Sequence, residues 1–289
     1  MPKGNKIKGP KRPEKFTKFS ECLTWLKKSV YIIVRGRQKK IDESDAINWI
    51  TLGSAFVAAP KRMLTAAHVL NDPLKGDLMK HQDGDKYYLL RHDDDNNWHY
   101  RIFEPKLDND IFIYPEIDLG IIYLDEKFYH DENKIYVNET DFIRISKDFL
   151  PIGSEIGVLG YPLSKLEFKN HDLSQPLIGN ILLRADQGVV NCRYKTTEKT
   201  SIYEFTLAFN PGNSGGPIFD LRTGRLISIV KGYRAHLINL KENIIPEKVN
   251  KQLKEYKEKS YIESLHAIYS YGFATPTFLD RLRQHKIMT

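Results

Sequence analysis

The chain has 289 residues, enough for one large apolar core or two of medium size. Its apolar (41%) and charged (28%) fractions are those of an ordinary globular protein and exclude a disordered or fibrous one. The net charge of +7 is unevenly placed: residues 1–40 hold 13 Lys/Arg against Glu14 and Glu21, a balance of +11, so the remainder, at −4, is a mildly acidic body behind a cationic N-terminus.

Residues 1–15 are rich in Lys, Pro and Gly, lack apolar periodicity and read as a disordered basic arm. Such an arm is suited to nucleic acid, an anionic membrane or an acidic protein face. The start Met1-Pro2-Lys3 has no apolar run of the secretory kind. From Phe16 to Lys28 the apolar residues Phe16, Phe19, Cys22, Leu23 and Leu26 follow helical spacing, with Thr17 or Ser20 as possible caps. Val30-Tyr31-Ile32-Ile33-Val34 opens a strand ending at Arg35; it is far shorter than the roughly 18 apolar residues of a membrane helix.

Short strands separated by turn residues follow almost to the end: 53–58, 63–65, 87–91, 98–103, 119–123, 155–159, 188–191, 202–206, 217–219, 226–230 and 272–274. Strands at such spacing indicate an all-β barrel or sandwich. Between Gly232 and Tyr271 a Lys/Glu-rich stretch interrupts the pattern. Pro246 suits a first helical turn there, and Val249, Leu253, Tyr256 and Tyr261 have approximate helical spacing. It reads as a helical insertion near 245–265 within an excursion over about 234–268. Phe278–Arg283 reads as a short terminal helix. Cys22 and Cys192 are the only cysteines and form no CxxC, which argues against a disulfide framework or a thiolate metal site and makes a reducing cytoplasm the expected location.

Three segments carry chemistry. In Asn210-Pro211-Gly212-Asn213-Ser214-Gly215-Gly216-Pro217, glycines flank a serine on a tight turn, which suits a projecting nucleophilic hydroxyl. The amides of Gly212 and Ser214 could bind the oxyanion of a tetrahedral intermediate. In Met63-Leu64-Thr65-Ala66-Ala67-His68-Val69-Leu70, two alanines leave room for an imidazole to turn into a cleft, and an ordinary histidine pKa suits a base at neutral pH. In Ile117-Asp118-Leu119-Gly120-Ile121-Ile122 a carboxylate opens an apolar strand, where burial is costly without a partner such as His68 Nδ1–H. Asp110, before Ile111-Phe112-Ile113, fits the same local pattern.

His68, Asp118 and Ser214 occur in that order, 50 and then 96 residues apart. Together with Gly53-Ser54-Ala55-Phe56-Val57, Val158-Leu159-Gly160-Tyr161-Pro162 and Tyr271-Gly272-Phe273-Ala274-Thr275-Pro276, this chain resembles the trypsin-like serine peptidases of chymotrypsin fold, and most closely their HtrA-like branch. The resemblance favours Asp118 over Asp110 and implies two antiparallel six-stranded barrels: residues 29–140 with the histidine and aspartate, and 141–289 with the serine, the insertion and a C-terminal helix.

It further implies a serine endopeptidase that needs no metal or organic cofactor, acts on protein or peptide substrates and has a possible regulatory protein partner. The Asp93-Asp94-Asp95 run lacks EF-hand spacing and reads as a solvated turn. No IVGG-like start is present for activation by a freed amino group, and little chain follows the second barrel to form a PDZ domain. Matching the family places Ala208 and Phe209 at the base of the S1 pocket and Lys231 and Gly232 on its wall. With no aspartate at the base, a medium or small apolar P1 residue is expected, although Lys231 could favour an acidic one. The contrasting class is a protease-like binding module that docks nucleic acid or a protein through the basic arm.

Overall fold

The computed structural model describes residues 12–41, 44–71, 85–92, 98–103, 109–124, 142–162, 182–196, 200–207, 209–210, 212–238 and 264–288. The expectations for residues 1–11, for Asp93-Asp94-Asp95, for Ala208 and for the chain from 239 to 263 lie outside them.

Helix α1 (Phe19–Leu26) runs into a 3₁₀ turn over Lys27–Ser29. Its apolar stripe buries Cys22 and Leu26, and Phe19 stacks on Phe219 with ring centroids 6.5 Å apart. Neither Thr17 nor Ser20 caps it as an acceptor. Instead the N–H and hydroxyl of Thr17 donate to Glu21 Oε2 at 3.1 and 3.0 Å, the acidic first-turn residue serving the free donors at the helix start.

The first sheet contains β1 (Val30–Ile41), β2 (Ser44–Ala59), β3 (Arg62–Thr65), β4 (Lys86–His92), β5 (Trp98–Phe103), β6 (Ile111–Tyr114) and β7 (Leu119–Tyr123), in the antiparallel order β5-β4-β1-β2-β3-β7-β6. The second contains β8 (Glu155–Gly160), β9 (Arg184–Lys195), β10 (Ser201–Phe205), β11 (Pro217–Asp220), β12 (Leu226–Ile229), β13 (Gly232–Ile238) and β14 (Ser264–Phe273), in the order β12-β11-β8-β9-β10-β14-β13. A bridge between Ser228 and Ala274 joins the first and sixth strands of that order and closes the second barrel. β12 and β13 are one chain run broken at Val230-Lys231, so this barrel has the expected six strands with one split in two. The first sheet carries one strand more than the expected six, with β5 pairing antiparallel to β4 at its edge.

Two apolar clusters fill the molecule. Ile156, Val158, Val190, Tyr203, Phe205, Ile218 and Ile227 pack inside the second barrel. The larger cluster fills the first barrel and continues across the seam through Leu159, Tyr161, Phe219 and Ile229. Fully burying such a side chain contributes about 1.5–3 kcal/mol each, so the shared seam cluster fixes one barrel on the other. Helix α2 (Ala67–Leu70) lies in the first barrel, and α3 (Leu279–Gln284) ends the chain.

The structure corrects two expectations. Arg12, expected to lie in a disordered basic arm, is instead held by the body. Arg12 is buried, its guanidinium donates to the carbonyls of Phe142 (2.8 Å) and Gly224 (3.0 Å), and Phe16 N–H donates to Arg222 O. The flanks of the expected helical insertion, 234–238 and 264–268, are strands: β13 and β14 pair from Gly232↔Tyr271 to Ile238↔Ser264, with one register shift between His236 and Leu237. In β13 the apolar residues Tyr233, Ala235 and Leu237 alternate with Arg234 and His236, the two-residue period of a strand.

Candidate active site

His68 is the second residue of α2, after the small residues Ala66 and Ala67. Asp118 follows a 3₁₀ turn over Pro115–Ile117 and has left-handed backbone angles of φ 49° and ψ 43°. A non-glycine residue rarely adopts that region, though aspartate is among the more tolerant. The turn aims Asp118 back at the start of α2. Its carbonyl accepts from Ala67 N–H at 3.1 Å, and its Oδ1 accepts from His68 N–H at 3.0 Å. The same carboxylate lies 3.0 Å (Oδ1) and 2.9 Å (Oδ2) from His68 Nδ1.

A carboxylate oxygen accepts from Nδ1–H, which places a proton on Nδ1 and leaves Nε2 outside the pair. Asp118 is buried at 8% exposure, while the His68 side chain keeps 29%. The carboxylate is thus withdrawn from water while the imidazole keeps contact with solvent. Asp110 makes no bond to His68. Its carbonyl accepts from Tyr123 N–H at the start of the β6–β7 hairpin.

The serine turn is built from short-range bonds and glycine geometry. Asn213 N–H donates to Asn210 O at 3.0 Å, and Gly216 N–H donates to Asn213 O at 2.8 Å. Gly215 has φ +82°, and a Cβ there would stand 2.2 Å from both Ser54 O and Thr65 Oγ1, so only glycine lets the turn settle against the first barrel. Gly215 N–H donates to Val230 O and Val230 N–H to Gly216 O, each at 2.9 Å, tying the turn to the end of β12. Ser54 N–H donates to Ser214 O at 2.8 Å. A Cβ at Gly53 would crowd both Ser214 O and the Val69 methyls, so the serine turn and the histidine helix both pack against this one β2 glycine.

Ser214 is partly exposed. Among the described residues no hydrogen bond joins its hydroxyl to His68, and the amides of Gly212 and Ser214 donate to no protein acceptor. The arrangement therefore offers a partly exposed hydroxyl, two uncommitted amides on the same turn, and an oriented imidazole on the neighbouring helix.

The other residues expected at the site fall as follows. Phe209 is buried in the core of the second barrel, with its ring 6.2 Å from Phe205 and its N–H bonded to Ser270 Oγ. Lys231 and Gly232 follow Val230 directly and lie beside the serine turn. The Lys231 ammonium sits 4.5 Å above the Phe273 ring and 5.9 Å from that of Tyr271. Sequence reasoning gave no role to Ser54, Thr65 or Tyr161. Ser54 is fully buried; its hydroxyl donates to Gly212 O (2.8 Å) and accepts from Tyr161 N–H (3.0 Å), and Thr65 Oγ1 donates to Ser54 O (2.7 Å). A hydroxyl in the apolar run Gly53–Val57 was the one signal available.

Two barrels with a serine turn, an imidazole and a buried carboxylate gathered at their seam define a domain of chymotrypsin fold. The chain belongs to the trypsin-like peptidase family: the model of the trypsin-like peptidase domain matches residues 53–229, a span that includes His68, Asp118 and Ser214. No curated protein matches it by sequence. Among solved structures it is similar to the Rv3671c protease of M. tuberculosis in its active form (TM-score 0.53, 14% identity, covering 96% of this chain and 90% of that one). It is also similar to the HtrA-type protease AlgW, solved with a decapeptide (TM-score 0.52, 14% identity, covering 94% and 67%). At that identity the likeness is one of fold.

Proposed function

We propose that the chain is a serine endopeptidase in which Ser214 is the nucleophile, His68 the general base and Asp118 the orienting carboxylate. The observation that carries this reading is the doubly held His68–Asp118 pair beside a glycine-rich serine turn. As His68 Nε2 takes the hydroxyl proton, Ser214 Oγ attacks the peptide carbonyl, and the imidazolium forms next to a carboxylate already in place. The amides of Gly212 and Ser214 receive the oxyanion. Collapse of the tetrahedral intermediate breaks the C–N bond, with His68 returning the proton to the leaving amine. Water then attacks the acyl-enzyme by the same route and regenerates Ser214.

We further propose a selective enzyme with few protein substrates, because a peptidase working in the reducing cytoplasm expected from the cysteine usage must spare the proteins around it. The aromatic seat of Lys231 supports an apolar P1 residue of small or medium size, since the ammonium is engaged by the rings of Phe273 and Tyr271. A fluorophosphonate probe tests the chemistry: it should label the wild type but not Ser214→Ala, and His68→Ala should label far more slowly. Equal labelling of wild type and Ser214→Ala would refute the reading. A P1-varied peptide library tests the pocket, and cleavage confined to Arg or Lys would overturn the apolar assignment.

A further inference from the structure

Ser54 lies in the first barrel, on β2, yet contacts the serine turn of the second barrel at two points. Its N–H holds Ser214 O at 2.8 Å and its hydroxyl holds Gly212 O at 2.8 Å, so it grips the turn on both sides of Asn213. The direction of the hydroxyl bond is fixed by chemistry. Tyr161 N–H, 3.0 Å from Ser54 Oγ, can only donate, so the single hydroxyl proton goes to the Gly212 carbonyl. Ser54 has no exposed surface, so both bonds form in a site shielded from water, where such bonds are strong and their loss is costly.

The carbonyl of Gly212 belongs to the peptide unit joining Gly212 to Asn213. The other end of that unit, Asn213 N–H, is bonded to Asn210 O at 3.0 Å. This unit lies between the two amides assigned to the oxyanion, Gly212 N–H and Ser214 N–H. Gly212 has φ +97°, and glycine is the residue with the widest choice of backbone angles. The freedom that lets position 212 adopt this geometry also lets it leave, and rotating the pinned unit would turn the neighbouring amides away from a common point.

We propose that Ser54 is a positioning residue for catalysis: its hydroxyl, set by Tyr161 N–H, latches the Gly212–Asn213 peptide and so holds both oxyanion donors in the geometry that stabilises the transition state. This rests on the peptidase reading for its kinetic consequence, but the latch itself is a property of the folded turn. Gly160, at the end of β8, leaves the space that the latch occupies. A Cβ there would stand 2.7 Å from Asn213 Oδ1 and 3.2 Å from Ser54 Oγ.

Ser54→Ala in the full-length protein tests the latch. The substitution removes one atom, retains the backbone bond to Ser214 O and introduces no clash. Amide hydrogen exchange requires no activity: exchange at Asn213 should rise at least tenfold in Ser54→Ala while β1 and β8 exchange as before. Unchanged exchange at Asn213 overturns the latch. With a valine-P1 peptide p-nitroanilide, kcat should fall about 10- to 100-fold, below the roughly 10²–10³ for outright loss of an oxyanion donor. KM should stay within about twofold, and affinity for a peptide boronic acid should fall in parallel with kcat.

The acidic limb of the pH–rate profile should stay in place, because the His68–Asp118 pair is untouched. Ser54→Thr, which keeps the hydroxyl, should recover most of the rate. An unchanged kcat, or a joint loss of kcat and KM with a shifted acidic limb, overturns the positioning role. Turnover that survives in Ser214→Ala would refute the peptidase reading instead, and the exchange result would still decide the latch.

Discussion

The carboxylate of Asp118 holds His68 by two different groups, the ring Nδ1–H and the backbone N–H, at 2.9–3.0 Å. One side chain thus sets the imidazole's tautomer and also anchors the helical turn that carries it. The two tasks separate by mutation. Asp118→Asn keeps the shape but allows its amide to donate toward Nδ1, which favours the wrong tautomer. A loss on the order of 10⁴ in kcat is typical for that change in such triads. Asp118→Ala should lose comparable activity and also lower the melting temperature, since it leaves the partly buried His68 amide unpaired. Equal melting temperatures for the two variants would show that the backbone bond contributes nothing to the fold.

His285, just after α3, binds the first barrel from the end of the chain. Its ring nitrogens lie 2.6 Å from Tyr114 Oη and 2.7 Å from Tyr123 Oη, and the ring packs against Phe112. Burial pushes its pKa below 6.5, and the Arg62 and Arg281 guanidiniums add to the effect. The folded state therefore favours neutral His285, and the unfolded chain binds the proton more readily. This contribution is present above about pH 6.5 and is lost as the pH falls through the lower folded value. Thermal unfolding of wild type and His285→Phe between pH 7.5 and 5 should show a steeper acid loss in the wild type. Parallel curves would contradict the assignment.

Arg12 marks where the basic arm joins the body. Its guanidinium gives hydrogen bonds to Phe142 O and Gly224 O, bridging the segment between the barrels to the β11–β12 turn. Removing a buried partner of this kind costs roughly 1–3 kcal/mol. Deleting residues 1–11 should leave the melting temperature within about 1 °C. Arg12→Ala should lower it by about 2–12 °C, taking roughly 2–4 °C per kcal/mol for a domain of this size. Binding of single-stranded DNA, if carried by Lys3, Lys6, Lys8 and Lys11, should vanish with the shorter deletion and fall steeply with salt in the intact chain. An unaltered melting temperature in Arg12→Ala would show that the anchor is not structural.

The sequence made the barrels legible wherever hydrophobic runs were bounded by turn residues, as in Gly53–Ala58, Met63–Thr65 and Leu119–Tyr123. It concealed elements whose residues are charged but whose backbone is paired. β1 continues beyond Arg35 through Gly36-Arg37-Gln38-Lys39-Lys40 because β2 supplies ladder partners, a fact no local pattern contains. The same limit applied at the site. The proposed nucleophile and base stand in recognisable motifs, whereas Asp118 and Asp110 were locally equivalent until the turn at Pro115 reversed the chain and aimed one of them at α2. Ser54 could not be recognised, because the carbonyl it holds lies 158 residues away. Arg12 sat in a Lys/Pro/Gly-rich run, and its acceptors are main-chain carbonyls without any sequence signature.

Gly53 lies against both the turn of the proposed nucleophile and the helix bearing the proposed base, and its missing side chain is what permits their approach. A Cβ there would stand 2.7 Å from Ser214 O and 2.9 Å from Val69 Cγ2, inside the contact limit on both sides. The Val69 methyl can shift with its rotamer, but the Ser214 carbonyl is main chain and is also bonded to Ser54 N–H. In Gly53→Ala the strain falls on that carbonyl and moves the hydroxyl relative to His68. Displacements near 1 Å can cost about 10²-fold in rate. The variant should therefore label at least about 100-fold more slowly with a fluorophosphonate while its far-ultraviolet circular dichroism stays that of the wild type. Wild-type labelling by Gly53→Ala would mean that the serine turn has room to move and that the seam does not set the position of the nucleophile.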